Sequence, residues 1–113
     1  MSVRRPKKDD SFVELICDQL AGLDGILYKS MFGGYGLYCG SMFFGIVYDG
    51  RLYFKTDDTT RARYEAWKSE PFQPNAKQTL RSYYEVPGDL FDDAAQLLEL
   101  AKEAVDVALR AKK

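Results

Sequence analysis

The sequence contains no histidine, and this absence excludes more chemistry than any other feature of its composition. Histidine is the side chain most often used as a general base near neutral pH, and it is the usual partner of a nucleophilic serine or cysteine. It is also the commonest ligand of transition metals. We therefore expect a protein that is not an enzyme and that holds neither a cofactor nor a metal ion.

Cysteines and long apolar segments are also scarce. The two cysteines, Cys17 and Cys39, have neither metal-ligand nor redox spacing, which predicts two free thiols in a reducing compartment. No apolar run approaches the roughly 18 residues that span a bilayer, and no apolar segment follows the basic N-terminus. These absences predict a cytoplasmic protein with neither a membrane anchor nor a signal peptide.

The net charge of -1 hides an uneven distribution along the chain. Seven of the 16 basic residues lie within 1–8 or 110–113, so nine remain against 17 acidic residues, a net charge of -8 for residues 9–109. Such an acidic body repels phosphate, whereas duplex DNA normally binds to a basic face. We expect residues 1–10 to form a flexible basic N-terminus and residues 11–111 to form one domain.

Two tight hairpin signals, Gly40-Ser41 and Asp49-Gly50, separate apolar and aromatic runs within residues 31–55. Two-residue turns of this kind need a positive φ, which glycine tolerates best and aspartate to a lesser degree. The pattern therefore predicts two consecutive antiparallel hairpins. Their three strands are expected over residues 35–39, 42–48 and 51–55.

A two-residue turn also fixes which residues face each other. Tyr48 should lie opposite Arg51, and Cys39 opposite Met42, which places Gly36 opposite Gly45. Both resulting faces are largely apolar, so we expect a helix, a second subunit or a ligand to cover part of each. One face should show Gly36, Tyr38, Phe43, Gly45, Val47, Leu52 and Phe54, and the other Tyr35, Leu37, Cys39, Met42, Phe44, Ile46, Tyr48, Arg51, Tyr53 and Lys55.

Helical periodicity surrounds these hairpins. Apolar spacing predicts a first helix over residues 11–21, a short helix over 60–67 and a closing helix of about 20 residues that starts near Asp89 or Asp92. The acidic pairs Asp57-Asp58 and Asp92-Asp93 are expected to cap helices, since a helix N-terminus attracts negative charge, instead of binding a metal ion or catalysing proton transfer.

Further strands are predicted over residues 26–32 and 82–86, whereas Pro71 and Pro74 predict a loop without regular structure. The predicted fold class is α+β. It consists of an antiparallel sheet of four to five strands with the N- and C-terminal helices packed on it.

Several sequence blocks, in a fixed order, carry a resemblance to a known family. They are MFGG-x-GLY at residues 31–38, LYFK at 52–55, EPF at 70–72 and SYYEVP at 82–87. In this order they resemble the N-terminal domain of TfoX/Sxy, bacterial regulators of competence for DNA uptake, over residues 12–110. The full-length regulators carry a second, helical domain after this one. Because the present sequence ends at Lys113, shortly after the matching residues, we expect a stand-alone version of the N-terminal module.

Aromatic and cationic side chains of the predicted strands form the candidate interaction surface. Such residues can stack on single-stranded bases, anchor protein contacts or simply pack in a tyrosine-rich core. Because the body is acidic, we favour a protein partner, or a second copy in a homodimer, over nucleic acid, and we expect no membrane contact. The candidate residues are Tyr48, Arg51, Tyr53, Lys55, Arg81, Tyr83 and Tyr84.

Residue chemistry and the resemblance together predict a non-catalytic interaction module in bacterial transcriptional regulation, acting through protein–protein contacts. The alternative is direct nucleic-acid binding through the aromatic and basic face of the sheet.

Overall fold

The computed structural model describes residues 10–31, 33–75 and 77–112. Apart from Asp10, the expected flexible N-terminus lies outside these residues. Within them the helices are α1 (Asp10–Gln19), α2 (Asp58–Ala66) and α3 (Ala94–Lys112), with a 3₁₀ turn at Gly88–Asp92. The strands are β1 (Ile26–Met31), β2 (Gly34–Cys39), β3 (Met42–Tyr48), β4 (Arg51–Lys55), β5 (Pro71–Asn75) and β6 (Gln78–Glu85).

All six strands join one antiparallel sheet in the order β1-β2-β3-β4-β6-β5. Helix α3 packs against β3 and β4, and α1 packs against β1. The α+β class, with an antiparallel sheet and helices from both ends of the chain packed on it, is confirmed. The described sheet has one strand more than expected because residues 71–75 form β5. A proline is tolerated there, since an edge strand needs hydrogen bonds on one side only.

The second hairpin has the predicted register: Tyr48 lies opposite Arg51, and Gly45 opposite Phe54. The turn between them has positive φ at both Asp49 (55°) and Gly50 (72°), as this tight connection requires. The strand boundaries predicted for β3 and β4 are likewise confirmed.

The first hairpin departs from the predicted register after two pairs. Cys39 lies opposite Met42 and Tyr38 opposite Phe43, but Leu37 then lies opposite Gly45. One residue of β3, Phe44, is therefore extra, which makes a β-bulge. The predicted pairing of Gly36 with Gly45 is wrong: Gly36 pairs with Ile46 instead.

The bulge also changes the predicted faces. Tyr35 and Leu37 lie on the same side of the sheet as Leu52 and Phe54, whereas the uninterrupted register placed these two pairs on opposite sides. Tyr38 and Phe43 move to the side that carries Tyr53, because a slip of one residue reverses the direction of each side chain. The consequences for the candidate site are described below.

The helix-covered face holds the larger core, to which α1, α3 and the sheet contribute fully buried side chains. Tyr64 attaches α2 to the same core, and its ring centroid lies 6.3 Å from that of Tyr84 on β6. The residues that are at most 1% exposed in this core are Val13, Ile16, Leu20, Leu37, Phe44, Leu52, Phe54, Tyr64, Val86, Leu97, Ala101 and Ala104.

A second, smaller core lies on the other face, where the β5–β6 hairpin folds over the sheet. Phe72 of β5 is fully buried, and its ring centroid lies 4.9 Å from that of Tyr53 and 5.4 Å from that of Tyr48. Strands three places apart in a flat sheet are separated by about 14 Å, so this contact requires the edge hairpin to curl over β3 and β4.

The acidic pairs cap helices, as the sequence predicts. The Asp57 carboxylate accepts hydrogen bonds from the backbone N–H groups of Thr59 (3.0 Å) and Thr60 (2.9 Å), and the Thr60 hydroxyl accepts one from the Asp57 N–H. At α3 the cap is Asp93, whose carboxylate accepts from the Gln96 N–H at 3.1 Å. The expected start near Asp89 or Asp92 is thus too early, because the 3₁₀ turn precedes the helix.

Candidate interaction surface

The structure brings three of the predicted surface tyrosines together, but it buries them. Tyr48 is half-buried against Phe72, while Tyr53 and Tyr83 are only 8% and 7% exposed to solvent. Burial raises the pKa of Tyr83 to about 12 and also raises the pKa of Tyr53, so both hydroxyls are neutral at physiological pH. These rings form the second core more than a surface.

The predicted cations lie around the edge of that core. Arg51 is exposed and pairs with Glu85 at 3.3 Å, and the Lys55 ammonium lies 5.0 Å from the centre of the Tyr83 ring. Arg81 is exposed. Tyr84 is the one predicted residue on the opposite face, buried in the helix-covered core. Whether any of these residues contacts a partner stays a prediction.

A row of aromatic rings crosses this face from β2 to β6. The ring centroid of Phe43 lies 5.3 Å from that of Tyr38 and 5.5 Å from that of Tyr83, with interplanar angles of 32° and 36°. A lysine lies over each end of the row: Lys29 is 5.1 Å from the centre of the Tyr38 ring, and Lys55 covers Tyr83. Contacts of this kind are attractive because the ring face carries negative charge.

The part of this face that β1, β2 and β3 form is partly open to solvent. We define the open patch as Leu27, Lys29, Met31, Tyr38 and Phe43. Leu27 lies directly opposite Tyr38, so both side chains point to the same face, and 39% of Leu27 is exposed. Tyr38, Phe43 and Met31 are half-buried, and Lys29 is exposed.

Gly36 supports this arrangement. A Cβ atom there would lie 2.5 Å from the Met31 sulfur and 3.0 Å from the Phe43 ring. The missing side chain lets both groups lie flat over the backbone of β2, which keeps the open patch shallow.

None of the five residues of the open patch was among the predicted site residues. The predicted register placed Tyr38 and Phe43 on the face opposite Tyr53, away from most of the predicted surface residues. Leu27 and Lys29 alternate on β1 as the strand pattern requires, and this alternation was the one signal in the sequence that pointed to them.

A charged groove of about 570 Å³ lies between α2 and α3. Arg63 pairs there with Glu103, and Arg110 binds Asp57 at 2.8 Å, so the groove is bordered by side chains that neutralise each other. Within residues 10–31, 33–75 and 77–112, no three Cys, Asp or Glu side chains are grouped to hold a metal ion. None of the helices described there is both long and apolar enough to cross a bilayer.

The six-stranded antiparallel sheet, covered by terminal helices on one face and by its own edge hairpin over half of the other, defines a small α+β domain. The family model described as the TfoX N-terminal domain matches residues 18–108. This match covers well over half of the chain, so the chain belongs to the TfoX N-terminal domain family, and the resemblance found in its sequence blocks is confirmed.

Two curated relatives are similar over most of this chain. The DNA transformation protein TfoX1 of Aliivibrio fischeri is 37% identical over 81 residues, which cover 69% of this chain and 38% of the relative. Protein Sxy of Escherichia coli is 34% identical over 99 residues, which cover 84% of this chain and 46% of that protein. The matched part therefore spans less than half the length of either relative.

Proposed function

We propose that this chain is a non-catalytic interaction module that acts in the regulation of DNA uptake, in the cytoplasm, by contacting another protein. The family membership and the name of the relative TfoX1 support the regulatory context. The observation that carries the mechanism is the open patch. Leu27 is exposed there and the rings of Tyr38 and Phe43 are only half-buried, on a face whose other half is covered.

The composition of the open patch is typical of protein contacts. Leucine, methionine, tyrosine and phenylalanine supply apolar area, and a neighbouring lysine supplies a polar edge, which is the usual anatomy of an interface. An exposed apolar patch of this kind on a small domain commonly marks an interaction site. The patch is also preorganised, because Gly36 and the ring contacts fix the side chains before a partner arrives.

Nucleic acid is the second candidate, since rows of rings beside lysines also stack single-stranded bases. The burial of Tyr53 and Tyr83 removes two of the rings that this alternative invoked. The acidic body opposes it further, because a protein that grips a phosphate backbone must neutralise several phosphates. We therefore retain the protein contact as the proposal.

Two exposed leucines allow a matched test. Leu27 lies in the open patch, whereas Leu109, 51% exposed, lies on α3 at the opposite side of the sheet. Tagged wild-type, Leu27→Asp and Leu109→Asp chains are used to capture proteins from the native cell, with quantitative mass spectrometry of what is retained. We expect at least one protein whose recovery falls several-fold with Leu27→Asp and is unchanged with Leu109→Asp.

Equal recovery with both variants would remove the open patch from the proposal. Retention of the wild type on single-stranded DNA that is lost above about 0.2 M salt, and lost in the Arg51→Glu/Lys55→Glu double variant, would support the nucleic-acid alternative instead.

A further inference from the structure

We infer that the open patch receives one amphipathic helix of a partner protein, with an apolar stripe on Leu27, Tyr38 and Phe43 and carboxylates at the helix edges that pair with Lys29 and Lys55. This inference rests on the proposed function. It adds the chemistry by which the partner is recognised, which the family and its relatives do not supply.

Charge is segregated between the two sides of the sheet. The six strands contain four basic residues and a single acidic one, whereas α1, the 3₁₀ turn and α3 contain eight acidic and three basic residues. The overall acidity of the chain therefore belongs to the helical side. On the strands the charged residues are Lys29, Arg51, Lys55, Arg81 and Glu85.

The positions of the two lysines indicate where acidic groups should lie. Each ammonium rests on a ring, Lys29 on Tyr38 and Lys55 on Tyr83, at opposite ends of the aromatic row. Neither lysine takes part in an ion pair among those found in the described residues. A carboxylate arriving at either end can pair with the ammonium while the ring contact persists, so the site favours negative charge at two separated points.

The width of the open patch fits a helix. It spans the three strands β1, β2 and β3, whose spacing of about 4.8 Å gives a width of about 10 Å, close to the diameter of one helix with its side chains. The folded-over β5–β6 hairpin borders the patch at Phe43 through the contact with Tyr83. The helix would lie beside this hairpin, much as α3 lies on β3 and β4 on the opposite face.

A single-stranded nucleic acid fits the same site less well. Leu27 and Met31 are aliphatic and offer no ring for a base to stack on. Two lysines at the ends of the row neutralise few phosphates, and of the two exposed arginines on the strands, Arg51 and Arg81, the first already pairs with Glu85.

The experiment uses the full chain to select binders from a library of random 16-residue peptides, followed by affinity measurements on the winning peptide by fluorescence anisotropy. We expect peptides with apolar residues at i, i+3 and i+4 spacing and with Asp or Glu beside them. Lys29→Glu should weaken binding of the winning peptide about three- to tenfold, and the matched Lys102→Glu, at an exposed position of α3, should leave it unchanged.

Charge reversal supplies the decisive control. A peptide with its acidic residues changed to lysine should bind Lys29→Glu better than it binds the wild type. Winning peptides that are neutral or basic, yet lose affinity with Leu27→Asp, would overturn the acidic helix and leave the proposed protein contact standing. Winning peptides indifferent to Leu27→Asp would overturn both, and so would a 15-nucleotide single-stranded DNA that binds the patch more tightly than every selected peptide.

Discussion

The two faces of the sheet use the same kinds of residue for different ends. Helices α1, α2 and α3 cover the helix-covered face, and the aromatic side chains of Tyr35, Phe44, Phe54 and Tyr84 are buried there. The other face is closed over one half only, by the β5–β6 hairpin folded onto β3 and β4. Whether an aromatic side chain is buried or partly exposed therefore depends on what covers its part of the sheet. The residue type alone does not decide it.

The difference also separates stability from binding. The larger core contributes most of the buried apolar area, which is the main favourable term in folding. The open patch contributes less burial and keeps half-buried rings beside an exposed leucine and an exposed lysine. Variants in the larger core should accordingly lower the free energy of unfolding, whereas variants in the open patch should mainly lower the affinity for a partner.

The sharpest comparison uses two neighbouring residues of the same type. Phe44 is fully buried in the helix-covered core, whereas Phe43 is half-buried in the open patch. Phe44→Ala should lower the free energy of unfolding by about 3–5 kcal/mol, and Phe43→Ala by about 1 kcal/mol, because the former leaves a closed cavity. Urea titration of both variants measures this. Similar losses would show that the bulge does not separate the two rings.

The hairpin cover can be loosened next. Phe72→Ala removes the side chain that holds β5–β6 over Tyr48 and Tyr53, and should cost about 3 kcal/mol, at the lower end of the range for a buried phenylalanine. Amide exchange over residues 71–85 should accelerate more than exchange over residues 34–48. Phe91→Ala, on the 3₁₀ turn, is the matched control and should leave the ratio of these two rates unchanged.

The smallest of the three expected effects on stability is the loss caused by acid at Asp57, which caps α2. Hydrogen bonds from the Thr60 N–H and from Arg110 lower the pKa of Asp57 from 3.8 to about 2. A carboxyl group with a lowered pKa stabilises the fold fully above its unfolded value, and this stabilisation is lost as the pH falls from about 4 towards 2. The midpoint of thermal unfolding should fall more steeply over this window in the wild type than in Asp57→Asn.

Asp58→Asn serves as the control for this titration. Asp58 is highly exposed and forms a neighbouring ion pair with Arg61, so this variant should keep the wild-type slope. A wild-type slope in Asp57→Asn would remove Asp57 as the source of the acid sensitivity.

The parts of the fold that could be predicted are those in which the residue types restrict the backbone to one local conformation. The Asp49-Gly50 turn gave the boundaries and register of β3 and β4, since both positions have positive φ. The bulge gave no such signal. Phe43 and Phe44 are both aromatic, so a shift of one residue leaves the hydrophobic pattern of β3 unchanged.

The candidate site could be predicted in its chemistry but not in its position. The sequence indicates a face of tyrosines and lysines, and Lys55 with Tyr83 does lie on the aromatic row. It does not indicate that Phe72, in a segment with two prolines, would fold over half of that face. Such a contact between distant segments depends on the curvature of the sheet, which the strand propensity of individual residues does not predict.

The additional residue in β3 has a consequence for reading relatives of this chain. A one-position gap at the bulge would remove the extra residue and restore a regular ladder, but it would keep Leu37 opposite Gly45, so both faces of β2 would stay as they are. A family member with such a gap would still direct its counterparts of Tyr35 and Leu37 towards the helices, so a length difference at this point of an alignment does not by itself predict a different exposed surface.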